Sequence, residues 1–182
     1  MLEISDVGQS GLSRELKSAD IDHFKIEMVR TLDAYQKMVA LRAITFMAEQ
    51  DCPFDEEYDG NDLCACHLLA YADGQAVATL RLRWFAGFGK VERVCVLPAY
   101  RGSNVVKVLL AAAFELGARK GFRRMTAQIQ ARLWPLWSRV LNCNLLKDRP
   151  SLFFSDFEYY EIEIPLAAHP EAIRSNPHPY QM

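Results

Sequence analysis

The turn at residues 100–102 and the helix predicted to follow it have the features of a phosphate site. An apolar strand ends just before Pro98, and a stripe of apolar residues at helical spacing begins shortly after Gly102. The first N–H groups of a helix have no partners inside the helix and lie at the positive end of its dipole, so they stabilise a bound anion. The guanidinium of Arg101 would add a fixed positive charge beside them.

Glu92 is a candidate general base on the strand before this turn. Alternation puts it on one strand face with Val94 and Val96, where partial burial would raise its pKa. A hairpin turning at residues 87 and 88 would instead set Glu92 opposite Arg83. Such a cross-strand ion pair would hold the carboxylate ionised and give it a structural role. Both interpretations stay open at this point.

Acidic residues concentrate between Glu49 and Asp62, in a segment that Pro53 and Gly60 mark as a loop. An acidic surface beside a phosphate-binding turn would attract a cationic, amine-bearing molecule. The alternative is an ordinary solvated acidic loop. Together with the preceding helix, this segment contains the pattern Arg-x-x-x-Phe and Glu-x-Asp-x-x-Asp, formed by Arg42, Phe46, Glu57, Asp59 and Asp62.

The elements that must position these residues follow the order β-α-loop-β-β-β-α-β-α-β. Alternation predicts strands over residues 23–30, 67–72, 75–84, 90–97 and 124–130, and a final strand or pair of strands over residues 153–164. Helical spacing predicts helices over residues 31–46, 103–120 and 133–141. Thr31 is a suitable N-cap for the first helix, and Gly121 ends the second one. Residues 1–21 are predicted to form a lead-in.

Composition excludes several classes of protein. The chain has 182 residues, 51% of them hydrophobic, and a net charge of −2, which is typical of one globular domain without an affinity for nucleic acid. No secretory leader is visible, and the apolar run at residues 105–114 is too short to span a bilayer. Five cysteines indicate reduced thiols in the cytoplasm. Cys64, Cys66 and His67 fit no zinc spacing, so no metal is expected.

The order of an apolar strand, Pro98, Tyr100, Arg101, Gly102 and a helix resembles the acyl-donor loop of the GNAT superfamily of N-acyltransferases. The resemblance covers about residues 26–164. It implies the α/β (α+β) GNAT fold, a mixed and mostly antiparallel sheet splayed at the donor site with helices on both faces. It implies one domain over residues 1–182, with a core of about 24–164 and a wrapping tail at 165–182.

The activity that this resemblance implies is transfer of an acetyl or longer acyl group from acyl-CoA to a primary amine of a small molecule or peptide. The loop would hold the pyrophosphate of coenzyme A, and the pantetheine arm would bind the preceding strand as an added strand. Asn104 and Val106 stand where the family usually has glycine or a small residue, so a weaker site is expected. The predicted donor-binding residues are Val94, Cys95, Val96, Arg101, Gly102, Ser103, Asn104, Val105 and Val106.

The usual general acid of the family is a tyrosine, and Trp137 stands in its place. Because tryptophan has no titratable proton, Tyr159, Tyr160 or water would have to serve as the acid, or the chemistry would have to differ.

The acceptor-side pattern Arg-x-x-x-Phe and Glu-x-Asp-x-x-Asp resembles the platform of acyl-homoserine lactone synthases, which share this fold and take acyl chains from acyl carrier protein. In that group the platform organises the site for the cationic S-adenosylmethionine. The resemblance implies, as an alternative, synthesis of an N-acyl amino acid or acyl-homoserine lactone with acyl carrier protein as partner. A catalytically silent acyl-CoA-binding domain is a further alternative, and a homodimer is compatible with each.

Overall fold

Apolar alternation and helical spacing produce the elements of the computed structural model, which describes residues 23–146, 150–154 and 157–173. The predicted lead-in and the end of the predicted tail lie outside the described residues. The strands are β1 (Lys25–Met28), β2 (Cys66–Ala72), β3 (Gln75–Trp84), β4 (Gly89–Val96), β5 (Arg124–Gln130), β6 (Asn144–Leu145), β7 (Leu152–Phe154) and β8 (Phe157–Pro165). The α-helices are α1 (Leu32–Arg42), α2 (Phe54–Glu57), α3 (Val105–Arg119) and α4 (Trp134–Val140), and α1 continues into a π-helix at Ala43–Ala48.

The described strands form one mixed sheet in the order β1-β2-β3-β4-β5-β8-β6, with β7 also paired to β8. All pairs are antiparallel except β4 with β5. Adjacent residues of β2 show that helices cover both faces, because Leu68 packs into the cluster that contains α3 residues and Leu69 packs against Met38 of α1. The predicted fold class is confirmed.

Strands β4 and β5 pair over only three residues each. Gly89, Lys90 and Val91 face residues 125–127, and the pairing stops beyond that point. The two strands approach closely at Gly89, where a Cβ would lie 2.5 Å from the sulfur of Met125. The sheet is therefore closed at the start of β4 and open towards its end. This is the splayed sheet that the resemblance to the GNAT superfamily implied.

A β-bulge interrupts β4 at the place where it leaves β5. Thr79 faces Cys95, whereas Arg81 faces Glu92, so β4 has one more residue than β3 across this interval. Arg93 lies within the bulge and has a φ of 52°, in the left-handed region that side chains other than glycine rarely adopt. The bulge turns the backbone of β4 away from a regular ladder next to the opening.

Helix α3 begins at Val105, two residues later than predicted, because a 3₁₀ turn at Pro98–Tyr100 and a φ of 81° at Gly102 precede it. Its buried face packs on the sheet, and Gly121 follows its end with a φ of 91°, as the sequence predicts. The chain after β8 returns along α3, where the N–H of Ile173 donates to the carbonyl of Arg119 over 2.9 Å.

Candidate active site

A cavity of about 500 Å³ occupies the opening between β4 and β5. Leu110 and Phe114 of α3 line part of it, and the polar ends of β3 and β4 line another part. Its apolar lining also includes Phe46, Val91, Ala127, Ile129, Trp137, Leu141, Ile162 and Ile164. Its charged lining consists of Glu56, Glu57, Asp59, Arg81, Arg83, Lys90, Glu92, Arg93 and Arg132. The cavity thus joins an apolar region to a charged one.

The predicted donor loop lies at the start of α3. Ser103 donates through its hydroxyl to the carbonyl of Tyr100 over 2.7 Å and accepts from the N–H of Val105 over 3.3 Å. The first bond inside the helix runs from the N–H of Val108 to the carbonyl of Asn104. The N–H groups of the two residues before Val108 therefore have no acceptor within the helix, which is the arrangement that binds anions.

Gly102 leaves space beside the loop, since no atom lies within 4 Å of the position that a Cβ would take. Val106 packs against the apolar cluster of the α3 face. The core therefore accommodates part of the Val106 side chain, which is larger than the glycine or small residue usual at this position of a donor loop.

Arg101 is engaged on two sides. Its Nε donates to the carbonyl of Val96 over 3.2 Å, and its Nη2 forms an ion pair with Glu49 at 2.5 Å. The first bond ties the start of α3 to the end of β4. The second means that Arg101 already has an acidic partner, so its predicted role towards a phosphate stays a prediction.

The predicted pantetheine edge, Val94 to Val96, lies beyond the last residue of β4 that pairs with β5. On its other side Cys95 faces Thr79 and Val96 faces Ala78 in the ladder with β3. Burial raises the pKa of the Cys95 thiol to about 12, so this cysteine is a packing residue rather than a nucleophile.

The predicted register, with Glu92 directly opposite Arg83 across the hairpin, is wrong. The predicted contact between these two side chains is nevertheless present. The N–H of Phe85 donates to the carbonyl of Phe88, which places the turn at residues 86 and 87 and sets Glu92 opposite Arg81. Arg83 faces Lys90 instead. The Arg83 side chain still reaches Glu92, with its Nε 2.8 Å from Oε2 and its Nη2 2.9 Å from Oε1.

Both oxygens of Glu92 are occupied. Oε2 also accepts from Nε of Arg81 over 3.0 Å, and Oε1 lies 2.9 Å from Nζ of Lys90. Burial opposes ionisation of Glu92, but the hydrogen bonds from Arg83 and Lys90 outweigh it and hold the pKa below its ordinary value. These contacts favour the ion-pair interpretation, and the role of general base stays a prediction.

The acceptor-side residues meet in a buried ion network. The guanidinium of Arg42 is fully buried. It donates to the Glu57 carboxylate through Nε, to the Glu57 carbonyl through Nη2 and to Asp62 through Nη1, the last over 2.7 Å. Arg81 donates to both oxygens of Asp59, over 2.7 and 2.6 Å, and to Asp62 over 2.9 Å. Phe46 lies apart from these contacts and lines the cavity.

The network corrects both sequence-based interpretations of the acidic loop. Glu57 and Asp62 are buried, so the loop is not solvated throughout, although residues 53–56, 59 and 60 are exposed. The carboxylates are matched by arginines, so it is not an uncompensated acidic mouth either. Burial raises the pKa of Glu57 against the pull of Arg42, whereas hydrogen bonds from Arg42 and Arg81 outweigh burial and lower the pKa of Asp62.

Sequence reasoning missed Arg81 and Arg93 as members of this site. Alternation along β3 puts Arg81 on the same face as Arg83, and this pattern could have identified Arg81. Arg93 forms an ion pair with Glu57 at 2.9 Å and donates to the Glu56 carbonyl. It does so from the bulge, and an extra residue in one strand has no clear mark in the sequence.

Of the two tyrosines predicted as substitutes for the general acid, only Tyr159 lines the cavity. Its hydroxyl lies 3.2 Å from Nε2 of Gln130, which donates to it. Tyr160 packs against the apolar cluster of the α3 face, and Trp137 contributes to the apolar wall of the cavity.

Two further features concern residues 23–146, 150–154 and 157–173. No group of three or more histidine, cysteine, aspartate or glutamate residues in that part of the chain has the arrangement of a metal site. No helix there has the length and apolar character needed to cross a membrane.

The splayed sheet, the helix start beside it and the cavity define an acyltransferase-like site, and comparison with known proteins agrees. The sequence model of the acetyltransferase (GNAT) family matches residues 32–140, more than half of the chain. The chain belongs to this family.

Three similar proteins illustrate the match. A candidate acetyltransferase of Bacillus subtilis is 33% identical over 96 residues, which are 50% of this chain and 65% of that protein's length. The structure of a candidate N-acetyltransferase from Lactobacillus plantarum has a TM-score of 0.72 at 22% identity, covering 79% of this chain and 99% of the other. The CoA-dependent acyl-homoserine lactone synthase BjaI has a TM-score of 0.66 at 15% identity, covering 79% and 84%. Both structures are similar in fold.

Proposed function

We propose that this protein transfers an acyl group from acyl-CoA to a primary amine of a small molecule. The observation that carries the proposal is the end of β4–β5 pairing after Val91, which leaves Glu92, Arg93 and Val94 of β4 lining a cavity. An extended, amide-rich arm can pair with such an edge as an added strand. The start of α3, tied to Val96 through Arg101, supplies N–H groups for the phosphates.

The reaction needs one proton removed and one supplied. The amine nitrogen forms a bond to the thioester carbonyl carbon, the C–S bond breaks, and the electron pair leaves with sulfur. The attacking nitrogen loses a proton and the thiolate gains one. Tyr159 is the cavity tyrosine that could protonate the thiolate. Glu92 is so fully bonded that we assign it to holding Arg81, Arg83 and Lys90 in place.

Calorimetric titration of coenzyme A and acetyl-CoA into the wild type and Gly102→Glu tests the donor site. A carboxylate at residue 102 would repel the phosphates, so binding should weaken by at least about tenfold. Gly74→Glu is the matched control, because Gly74 has a φ of 80° and an equally open surrounding but lies in the β2–β3 turn. Equal binding by the two glutamate variants, or no binding of either donor to the wild type, would contradict the proposal.

Acyl carrier protein is the alternative donor, as the resemblance to lactone synthases implies. A titration with acyl carrier protein in the same series distinguishes the two. Tighter binding of the carrier protein than of acyl-CoA would favour a carrier-dependent synthase. Thiol release on addition of an amine then separates an enzyme from a catalytically silent binding domain.

A further inference from the structure

We infer that the acceptor amine also carries a carboxylate, and that Arg83 and Lys90 bind this carboxylate. The inference rests on the proposed function, since it takes the charged part of the cavity as the acceptor side. It adds a carboxylate to the cationic, amine-bearing acceptor that the acidic composition of the loop suggested.

The carboxylates of the site have little capacity left for a cation. Glu57 accepts a hydrogen bond from Arg42 with one oxygen, and its other oxygen lies 2.9 Å from Nε of Arg93 in an ion pair without hydrogen-bond geometry. Both oxygens of Asp59 are held by Arg81. The hydrogen bonds from Arg42 and Arg81 are charge-assisted and therefore among the strong ones, so a substrate ammonium would have to displace a guanidinium at these oxygens to form its own ion pair.

Positive charge is in excess in the described network. Its members are five cations and four carboxylates, namely Arg42, Arg81, Arg83, Lys90, Arg93, Glu57, Asp59, Asp62 and Glu92. Arg132 and Glu56 also line the cavity and offset each other in charge. One positive charge therefore remains.

The accessible part of the network is cationic. The side chains of Arg83 and Lys90 are 23% and 17% exposed, whereas the carboxylate they share, Glu92, is 10% exposed. Asp59 is exposed to a similar degree as Arg83, but both of its oxygens are taken by Arg81. A molecule that enters the cavity thus meets ammonium and guanidinium groups with accessible surface.

Within the part of the chain that the structure describes, Arg83 and Lys90 also retain hydrogen-bond donors. They face each other across β3 and β4, so their side chains share one face of the hairpin. Arg83 uses three of its five N–H groups, on Glu92 and Asn61. Lys90 uses two of three, on Glu92 and Gln128. The remaining donors suit the two oxygens of a carboxylate.

Matched ligands test this inference without depending on turnover. Leucine, leucinamide and isopentylamine share one apolar group and one amine, and only leucine carries a carboxylate. Phenylalanine, phenylalaninamide and 2-phenylethylamine form a second series suited to the aromatic lining. Each is titrated calorimetrically into the wild type saturated with coenzyme A. We expect the acid to bind at least about tenfold more tightly than the amide or the amine in one series or both.

Arg83→Gln and Lys90→Gln should remove most of this preference while leaving amide binding unchanged. Lys37→Gln is the control, because Lys37 is an exposed, ion-paired lysine on α1 away from the cavity. Coenzyme A binding and the circular dichroism spectrum of each variant report whether it remains folded. Preference for the acid that survives both substitutions would overturn the assignment to these two residues.

The same measurements separate this inference from the proposed function. If coenzyme A binds but neither acid is preferred in the wild type, including the case in which no ligand binds, the inference is overturned and the donor site stands. If coenzyme A itself fails to bind, the proposed function fails first.

Discussion

Replacing Arg81 with methionine tests whether the buried ion network holds the acceptor side together. The Arg81 side chain is 1% exposed and donates to Asp59, Asp62 and Glu92. Methionine has a similar length and no charge, so it fills much of the same space while removing every one of these bonds. The substitution leaves three carboxylates with fewer partners in a region of low water access.

The expected cost follows from what each carboxylate keeps. Removing one partner of a buried ion pair costs about 3–5 kcal/mol. Asp62 keeps Arg42, and Glu92 keeps its bonds from β3 and β4. Asp59 is 27% exposed and can turn to water. The cost therefore falls at the lower end, about 3 kcal/mol, which lowers Tm by roughly 6–12 °C for a chain of this length.

The cost of Arg81→Met should also depend on pH. Burial opposes ionisation of Asp59, Asp62 and Glu92, but hydrogen bonds from the neighbouring cations outweigh it and lower the pKa of each. Carboxylates with lowered pKa values contribute stability above their unfolded pKa of about 4, and this contribution is lost as the pH falls. The difference between wild type and variant should therefore stay nearly constant from pH 7 to about pH 5 and shrink as the pH falls further, through about pH 4 and below.

Urea unfolding of both proteins over this pH range measures the difference. Arg30→Met is the control, because Arg30 is exposed and its loss should change the free energy of unfolding by less than about 0.5 kcal/mol. A cost below about 1 kcal/mol for Arg81→Met, or one that does not change with pH, would refute the account of a buried network that stabilises the fold.

Two further substitutions address the donor side and the chemistry. Glu49→Gln removes the exposed ion pair to Arg101, so calorimetry at low salt should show coenzyme A binding up to about fivefold more tightly, in line with the energy of a surface pair; weaker binding would contradict this. Tyr159→Phe should lower kcat by about 10²–10⁴-fold with little change in donor affinity if Tyr159 protonates the thiolate, and an unchanged kcat would exclude that role.

Most of the fold could be predicted from the sequence because its signals are local. The alternation of β2 to β5 and the helical stripe of α3 each depend on neighbouring residues that share a face, and the predicted elements appear in the predicted order. The extent of the splay could not be worked out from such patterns, since it depends on where β4 and β5 stop pairing. The resemblance to the GNAT superfamily supplied that expectation.

The site was harder to predict because its charges come from distant segments. The Glu57 and Asp62 carboxylates are buried only because Arg42 and Arg81 arrive from α1 and β3. From the sequence alone an acidic segment reads as exposed, since nothing local indicates partners 15 to 20 residues away. The hairpin register was misjudged by two residues for a related reason, because several positions around residues 85–88 can form the turn.

Arg93 connects the predicted donor and acceptor halves of the site. A left-handed conformation costs a residue with a side chain about 1–3 kcal/mol, and here the contacts of Arg93 with Glu57 and with the Glu56 carbonyl offset that cost. The bulge shifts the β4 ladder just before the residues that lie beyond β5 pairing, Val94 to Val96. The same residue thus holds the acidic loop in place and shapes the strand edge offered to the donor. Substitutions in the loop should therefore reach the donor side through β4, so donor and acceptor affinities have to be measured together.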